Sequence, residues 1–197
     1  MEHLLDVRDL SITYLNKSRN VQAVRHVNFT IDKGDSLGLV GESGSGKSTL
    51  AMGMLRILPQ ESIQMTGSAL FMGKDLVTIS DQEMNKLRWK EIAVVFQKAM
   101  NSLSPVHRIG TQIEDIYHVH EPKATKKEIH DRTMELLKLV NMPERVYKLY
   151  PHEMSGGMLQ RVAIVISLLH NPKLLVFDEA TTALDGVTQG QILEEVV

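Results

Sequence analysis

The chain has no cysteine, which excludes disulfides and thiolate metal sites and fits a reducing compartment. Neither sign of charge dominates. Twenty-two Lys and Arg stand against 24 Asp and Glu, a formal net charge of −2, so global electrostatics make no case for nucleic acid as a partner. Long apolar runs are missing too: stretches such as Val162-Ala-Ile-Val-Ile166 fall far short of the roughly twenty residues a membrane helix needs. Met1-Glu-His-Leu-Leu-Asp6 lacks the basic start and apolar core of a signal peptide. No internal repeat or low-complexity segment is visible. These absences predict a cytoplasmic chain that reaches a membrane only through a partner. What remains is ordinary for a folded protein: 197 residues, 43% hydrophobic and 23% charged, predict one large domain or one domain with a small subdomain.

The most informative segment is Gly41-Glu42-Ser43-Gly44-Ser45-Gly46-Lys47-Ser48-Thr49, which fits G-x-x-x-x-G-K-[ST]. It follows an apolar run, Leu37-Gly-Leu-Val40, that reads as a buried strand. The glycines let successive amides turn inward toward an anion, Lys47 adds positive charge at the β/γ-phosphates, and Ser48 offers a hydroxyl to Mg²⁺. The helix that starts here turns its positive dipole end to the same phosphates. This spacing predicts a phosphate-binding loop.

Around the loop, Leu5, Val7, Leu10, Ile12 and Tyr14, then Val27, Phe29 and Ile31, predict two strands of an antiparallel layer. Lys33-Gly34-Asp35 marks a turn. A helix is expected from Ser48 to Leu58, stopped by Pro59, then a short strand from Ser68 to Phe71. Ser80-Asp-Gln-Glu83 is a capping box opening a helix to about Trp89, and Ile92 to Phe96 is the next strand. From Val106 to about Val140 the pattern is helical, with Thr125-Lys-Lys-Glu128 as a second capping box. Ser155 caps a helix to about His170, ended by Asn171-Pro172, and Leu174-Leu-Val-Phe177 is a buried strand. Strands alternating with helices predict an α/β fold with a mostly parallel core sheet. Residues 1–97 and 171–197 are expected to form the β layer and core, and about 98–170 a helical subdomain with its last helix.

Asp178 and Glu179 end that last strand, at the edge where open α/β sheets bind ligands. Asp178 can join a Mg²⁺ shell and Glu179 can polarise an attacking water; read alone, the pair is also a common solvated loop start. Met154-Ser155-Gly156-Gly157-Met158 is by itself only a flexible helix start.

In order, the phosphate loop, Gln97 after a strand, Ser155-Gly156-Gly157, Asp178-Glu179 and Ala183-Leu184-Asp185 resemble the motifs of ATP-binding cassette (ABC) ATPases over nearly the whole chain. The resemblance implies the ABC form of the P-loop NTPase fold, with ATP and Mg²⁺ as cofactors. It implies that Tyr14 stacks on adenine, that Gln97 joins Ser48 at Mg²⁺ and senses the γ-phosphate, and that Glu179 is the catalytic carboxylate. Ser155, Gly156 and Gly157 would complete the nucleotide site of an opposite subunit, and Asp185 lies in the loop communicating between the two sites. Tyr14 reads equally as an edge-strand aromatic. Tyr150-Pro-His-Glu-Met-Ser-Gly-Gly-Met158, Ser102-Leu-Ser-Pro105 and Glu179-Ala-Thr-Thr-Ala-Leu-Asp185 resemble importers of oligopeptides, dipeptides and nickel. Leu58-Pro59, Thr66-Gly67-Ser68 and Phe71 resemble the first of their two paired ATPases. The implied partners are a sister ATPase, two transmembrane permease subunits and, indirectly, a solute-binding protein, at the cytoplasmic face of the membrane.

The chain departs from the family pattern at Lys98-Ala99, where Asp-Pro is usual, at Ala180 in place of proline, and at Met154 and Met158 in the signature. None of its eight histidines has the context of the family's switch histidine, which lies beyond the Asp185 loop, so an amino-terminal piece of a longer ATPase is expected. Two other functions stay open at this stage: a nucleotide-binding regulatory or assembly module with little turnover, and a soluble cassette ATPase outside transport.

Overall fold

Apolar alternation makes the first strand, β1 (Leu5–Tyr14), the middle of an antiparallel sheet. In the computed structural model, which describes residues 3–96 and 103–178, β1 pairs on one side with β2 (Val21–Ile31) and on the other with β3 (Ile63–Phe71). The two-residue β4 (Lys74–Asp75) extends the order to β2-β1-β3-β4. Leu5, Val7, Leu10 and Ile12 are buried. The break between Val7 and Leu10 is a bulge in which Asp9 adopts φ 50 and donates its backbone N–H to Asn28 Oδ1 at 2.8 Å. The expected turn is present, with Asp35 N–H donating to Asp32 O at 3.1 Å.

Helix α1 (Lys47–Met54) packs on this sheet, and Gly53 is where they meet: a Cβ there would lie 2.5 Å from Ile12 Cδ1. The helix stops four residues before the expected Leu58 because Arg56 takes a left-handed φ of 53, with Arg56 N–H donating to Gly53 O and Ile57 N–H to Met52 O, both at 2.8 Å. Arg56 is held there by Asp81 Oδ1, 2.5 Å from its guanidinium, and by the Ile79 carbonyl. Asp81 opens α2 (Asp81–Leu87), where Ser80 and Glu83 form the expected reciprocal cap.

One expectation fails. Leu37-Gly-Leu-Val40 forms no strand, and Leu37, Leu39 and Val40 are exposed, Val40 at 97%. A four-residue run interrupted by Gly38 has little strand preference of its own, and no described strand pairs with it.

The chain divides into two units, Met1–Asn85 and Lys86–Val197. In the second, β5 (Ile92–Phe96) and β6 (Leu174–Asp178) form an in-register parallel pair from Ile92↔Leu174 to Phe96↔Asp178. Its start is tied by Lys173, whose N–H donates to Glu91 O at 2.9 Å and whose ammonium meets Glu91 Oε2 at 2.8 Å. The helical block comprises α3 (Ile109–His120), α4 (Lys126–Leu139) and α5 (Gly156–Leu168). Its core gathers Val95 of β5 with Ile109, Ile113, Ile129, Leu137, Val162 and Ile164. The Thr125–Glu128 box is complete, the Thr125 N–H donating to Glu128 Oε2 at 2.7 Å and the Glu128 N–H to Thr125 Oγ1 at 3.2 Å.

Candidate functional site

The loop of residues 41–46 enters α1 through Gly46, the N-cap, whose φ of 95 suits only glycine. A Cβ at Gly46 would also lie 2.4 Å from the backbone oxygen of Ala23 in β2, so the loop sits against the sheet. Lys47 folds back over the loop. Its ammonium donates to the carbonyls of Gly41 at 2.8 Å and Glu42 at 2.7 Å, and reaches Ser45 Oγ at 3.4 Å. Ser45 N–H donates to Glu42 O at 3.2 Å, closing the turn.

The first turn of α1 carries no acid to offset the helix dipole, and it carries Lys47 instead. The amino-terminal end of the helix dipole and an ammonium therefore converge on one exposed loop, an arrangement suited to a polyanionic phosphate chain. Ser48, the next residue, is exposed at the helix start, and Thr49 receives Tyr14: their hydroxyls are 3.2 Å apart. The structure thus brings Tyr14, at the end of β1, to the helix that carries Lys47, a contact that the strand pattern could not supply.

The other sequence-predicted residues belong to the second unit. Asp178 ends β6 opposite Phe96, at the carboxyl edge of the parallel pair, as expected. Ser155 caps α5 by accepting the Met158 N–H at 3.3 Å, with Gly156 and Gly157 in a first turn that also lacks acids. Gln97, Glu179 and Asp185, together with Lys98, Ala99 and Ala180, lie outside the described residues.

Two side chains in this unit escaped the sequence reading. Gln160 is buried on the α5 face that also carries Ile164 and Leu168, and its amide donates to Phe96 O at 3.3 Å. A polar residue on an apolar stripe was the available signal. Gln112 of α3 clamps the preceding loop: its Oε1 accepts the Ser104 N–H at 2.8 Å, while its Nε2 donates to Ser104 O at 3.0 Å and His107 O at 2.9 Å. That loop holds Val106 out at 73% exposure.

A family model described as ABC transporter matches residues 24–182. The chain is 48% identical over 194 residues to the oligopeptide transport ATP-binding protein OppD of Bacillus subtilis (strain 168), covering 97% of this chain and 54% of that protein. To OppD of Escherichia coli (strain K12) it is 43% identical over 192 residues, covering 96% and 56%. It therefore spans just over half the length of these curated relatives. A solved ATP-binding cassette, described as a dimeric post-hydrolysis state bound to ADP and Pi, matches with a TM-score of 0.84 at 29% identity, covering 96% of this chain and 80% of that one.

Proposed function

Because the chain belongs to the ABC transporter family, we propose that it is the ATP-binding and ATP-hydrolysing part of an oligopeptide importer. Its fold is the α/β cassette of ABC ATPases. The observation that carries the proposal is the Lys47 ammonium seated on the Gly41 and Glu42 carbonyls at the amino-terminus of α1. Those bonds hold the cation over the loop, where it can exchange carbonyl partners for phosphate oxygens with little movement of the backbone.

Mg²⁺ fits the residues present, since it is commonly held by one or two protein groups plus substrate phosphates. Ser48 would supply a hydroxyl, and by the family resemblance Gln97 and Asp178 would be further ligands. When bound, the ion neutralises charge developing on the phosphates. Tyr14 offers an aromatic face to adenine, Glu179 orients and polarises the attacking water, and Ser155 to Gly157 present amides to the nucleotide of a sister ATPase. The names of the relatives support peptide import; two permease subunits and a solute-binding protein are the further partners that this reading implies.

The test is a pair of measurements on wild type and Lys47→Ala. Losing a charge-assisted contact of about 1.5–3 kcal/mol weakens Mg-ATP binding by calorimetry roughly tenfold to hundredfold. Uptake of labelled oligopeptides by cells carrying the variant falls to background while free amino acid uptake holds. Equal ATP affinity in folded Lys47→Ala overturns the nucleotide site, and undiminished peptide uptake overturns the importer.

A further inference from the structure

Helix α5 is apolar on its inner face except at two places. Val162, Ile164, Val165 and Leu168 are buried there, yet Gln160 is only 2% exposed and Ser167 only 1%. Burying an amide costs free energy unless its hydrogen bonds are replaced, and ordering a long flexible side chain adds an entropic cost. Leucine would fill the same space with no desolvation cost and a smaller entropic one. What glutamine supplies is a donor: Gln160 Nε2 reaches the carbonyl of Phe96, the last residue of β5, at 3.3 Å.

The position of this bond in the chain gives it meaning. Gln160 lies one helical turn beyond Gly156, at the end of α5 capped by Ser155. Phe96 immediately precedes Gln97 and stands opposite Asp178 in the parallel pair. Ser167, two turns further along α5, is a weaker tie to the same strand: its hydroxyl donates to Ala163 O at 2.9 Å and lies 3.5 Å from Val94 O. The helix is thus fastened to β5 most directly at the end that bears Ser155, Gly156 and Gly157.

We infer that Gln160 is a positioning residue: its buried amide locks the carboxyl end of β5, from which Gln97 follows, to the helix whose amino-terminus meets a partner's nucleotide. The inference rests on the function proposed above for Gln97 and for Ser155 to Gly157. A contact at the amino-terminus of α5 then shifts the departure point of Gln97 in the same movement, so a nucleotide-dependent dimer aligns both in one step.

The experiment compares wild type, Gln160→Leu, Gln97→Ala and the double variant. Gln160→Leu removes a buried amide but also the donor to Phe96 O, and the two effects oppose each other, so its thermal midpoint stays within a few degrees of wild type. Its Mg-ATP affinity stays within about twofold, while kcat for hydrolysis falls about tenfold, the scale of one lost hydrogen bond in the activated state. In the double variant kcat falls no further than in Gln97→Ala alone, because both changes act through one element. Hydrogen exchange supplies a readout free of turnover: Mg-ATP protects the segment 92–97 in wild type but not in Gln160→Leu, while protection of 41–49 persists in both. Unchanged kcat with unchanged protection of 92–97, additive losses in the double variant, or a fall in thermal midpoint that accounts for the lost activity each overturn the inference. A wild-type protein that shows no Mg-ATP protection at 41–49 overturns the proposed function itself, and the inference with it.

Discussion

Replacing Gly46 and Gly44 separately by alanine dissects the loop, because the structure assigns the two glycines different burdens. At Gly44 the φ of 79 is left-handed but a Cβ would meet no atom within 4 Å, so alanine costs only the conformational penalty of about 1–2 kcal/mol. At Gly46 the φ is 95 and the added Cβ would lie 2.4 Å from Ala23 O. That oxygen is backbone, in a strand whose register with β1 shifts between Ile12 and Thr13, so it cannot swing aside as a side chain would. Overpacking of this kind adds about 1–3 kcal/mol, bringing the total for Gly46→Ala to roughly 3 kcal/mol. For a chain of this size about 1 kcal/mol moves the thermal midpoint by roughly 2–4 °C. Gly44→Ala is therefore expected to melt roughly 3–6 °C below wild type, and Gly46→Ala roughly 6–12 °C below. Melting curves with and without Mg-ATP measure both, and Gly46→Ala also loses the upward shift that nucleotide gives wild type. Equal midpoints for the two variants would refute the argument that the loop rests against β2.

Two further outcomes follow from the second unit. Burial holds the pKa of His170 below its ordinary value, with His120 and Lys90 adding repulsion, and burial lowers His120 likewise; the Tyr117 ring lies tilted against His170 with centroids 4.6 Å apart, while Glu121 acts in the opposite sense. A depressed histidine pKa means that the unfolded chain takes up protons first, so stability is intact above about pH 6.5 and declines as pH falls through the folded values. Denaturant midpoints between pH 7.5 and 5 should show this slope, and His170→Phe should flatten it. Ser155→Arg should leave Mg-ATP binding nearly intact but abolish ATP-dependent association with a sister ATPase in a Glu179→Gln background, as measured by sedimentation; association that ignores the substitution would remove the proposed contact between α5 and a partner's nucleotide.

What the sequence disclosed was mostly local. The capping boxes at Ser80–Glu83 and Thr125–Glu128 and the Ser155 cap join residues three apart, and each formed as read. The antiparallel layer was legible because alternation in β1 and β2 marks a buried face. Leu37 to Val40 misled because an apolar run becomes a strand only with a partner, and partners are distant in sequence. In the site, the glycine and lysine spacing announced the phosphate loop, but not that Lys47 would rest on the Gly41 and Glu42 carbonyls. The early end of α1 depended on Asp81, 25 residues from Arg56, and the Gln160 contact on a carbonyl 64 residues away. Neither separation leaves a periodic trace.

The clamp that Gln112 makes on the Ser104–His107 loop has a mechanical consequence. With three bonds from one amide, the knuckle bearing Val106 cannot pivot independently of α3, and the join continues without slack. Arg108 lies over the Tyr150 ring at 5.3 Å, Ile109 N–H donates to Leu149 O at 2.9 Å, and Tyr150 N–H is fixed by Glu153 at 2.7 Å, one residue before Met154 and the Ser155 cap. The loop bearing Val106 and the Ser155 cap at the mouth of α5 are therefore joined by a continuous run of short contacts rather than by the backbone alone.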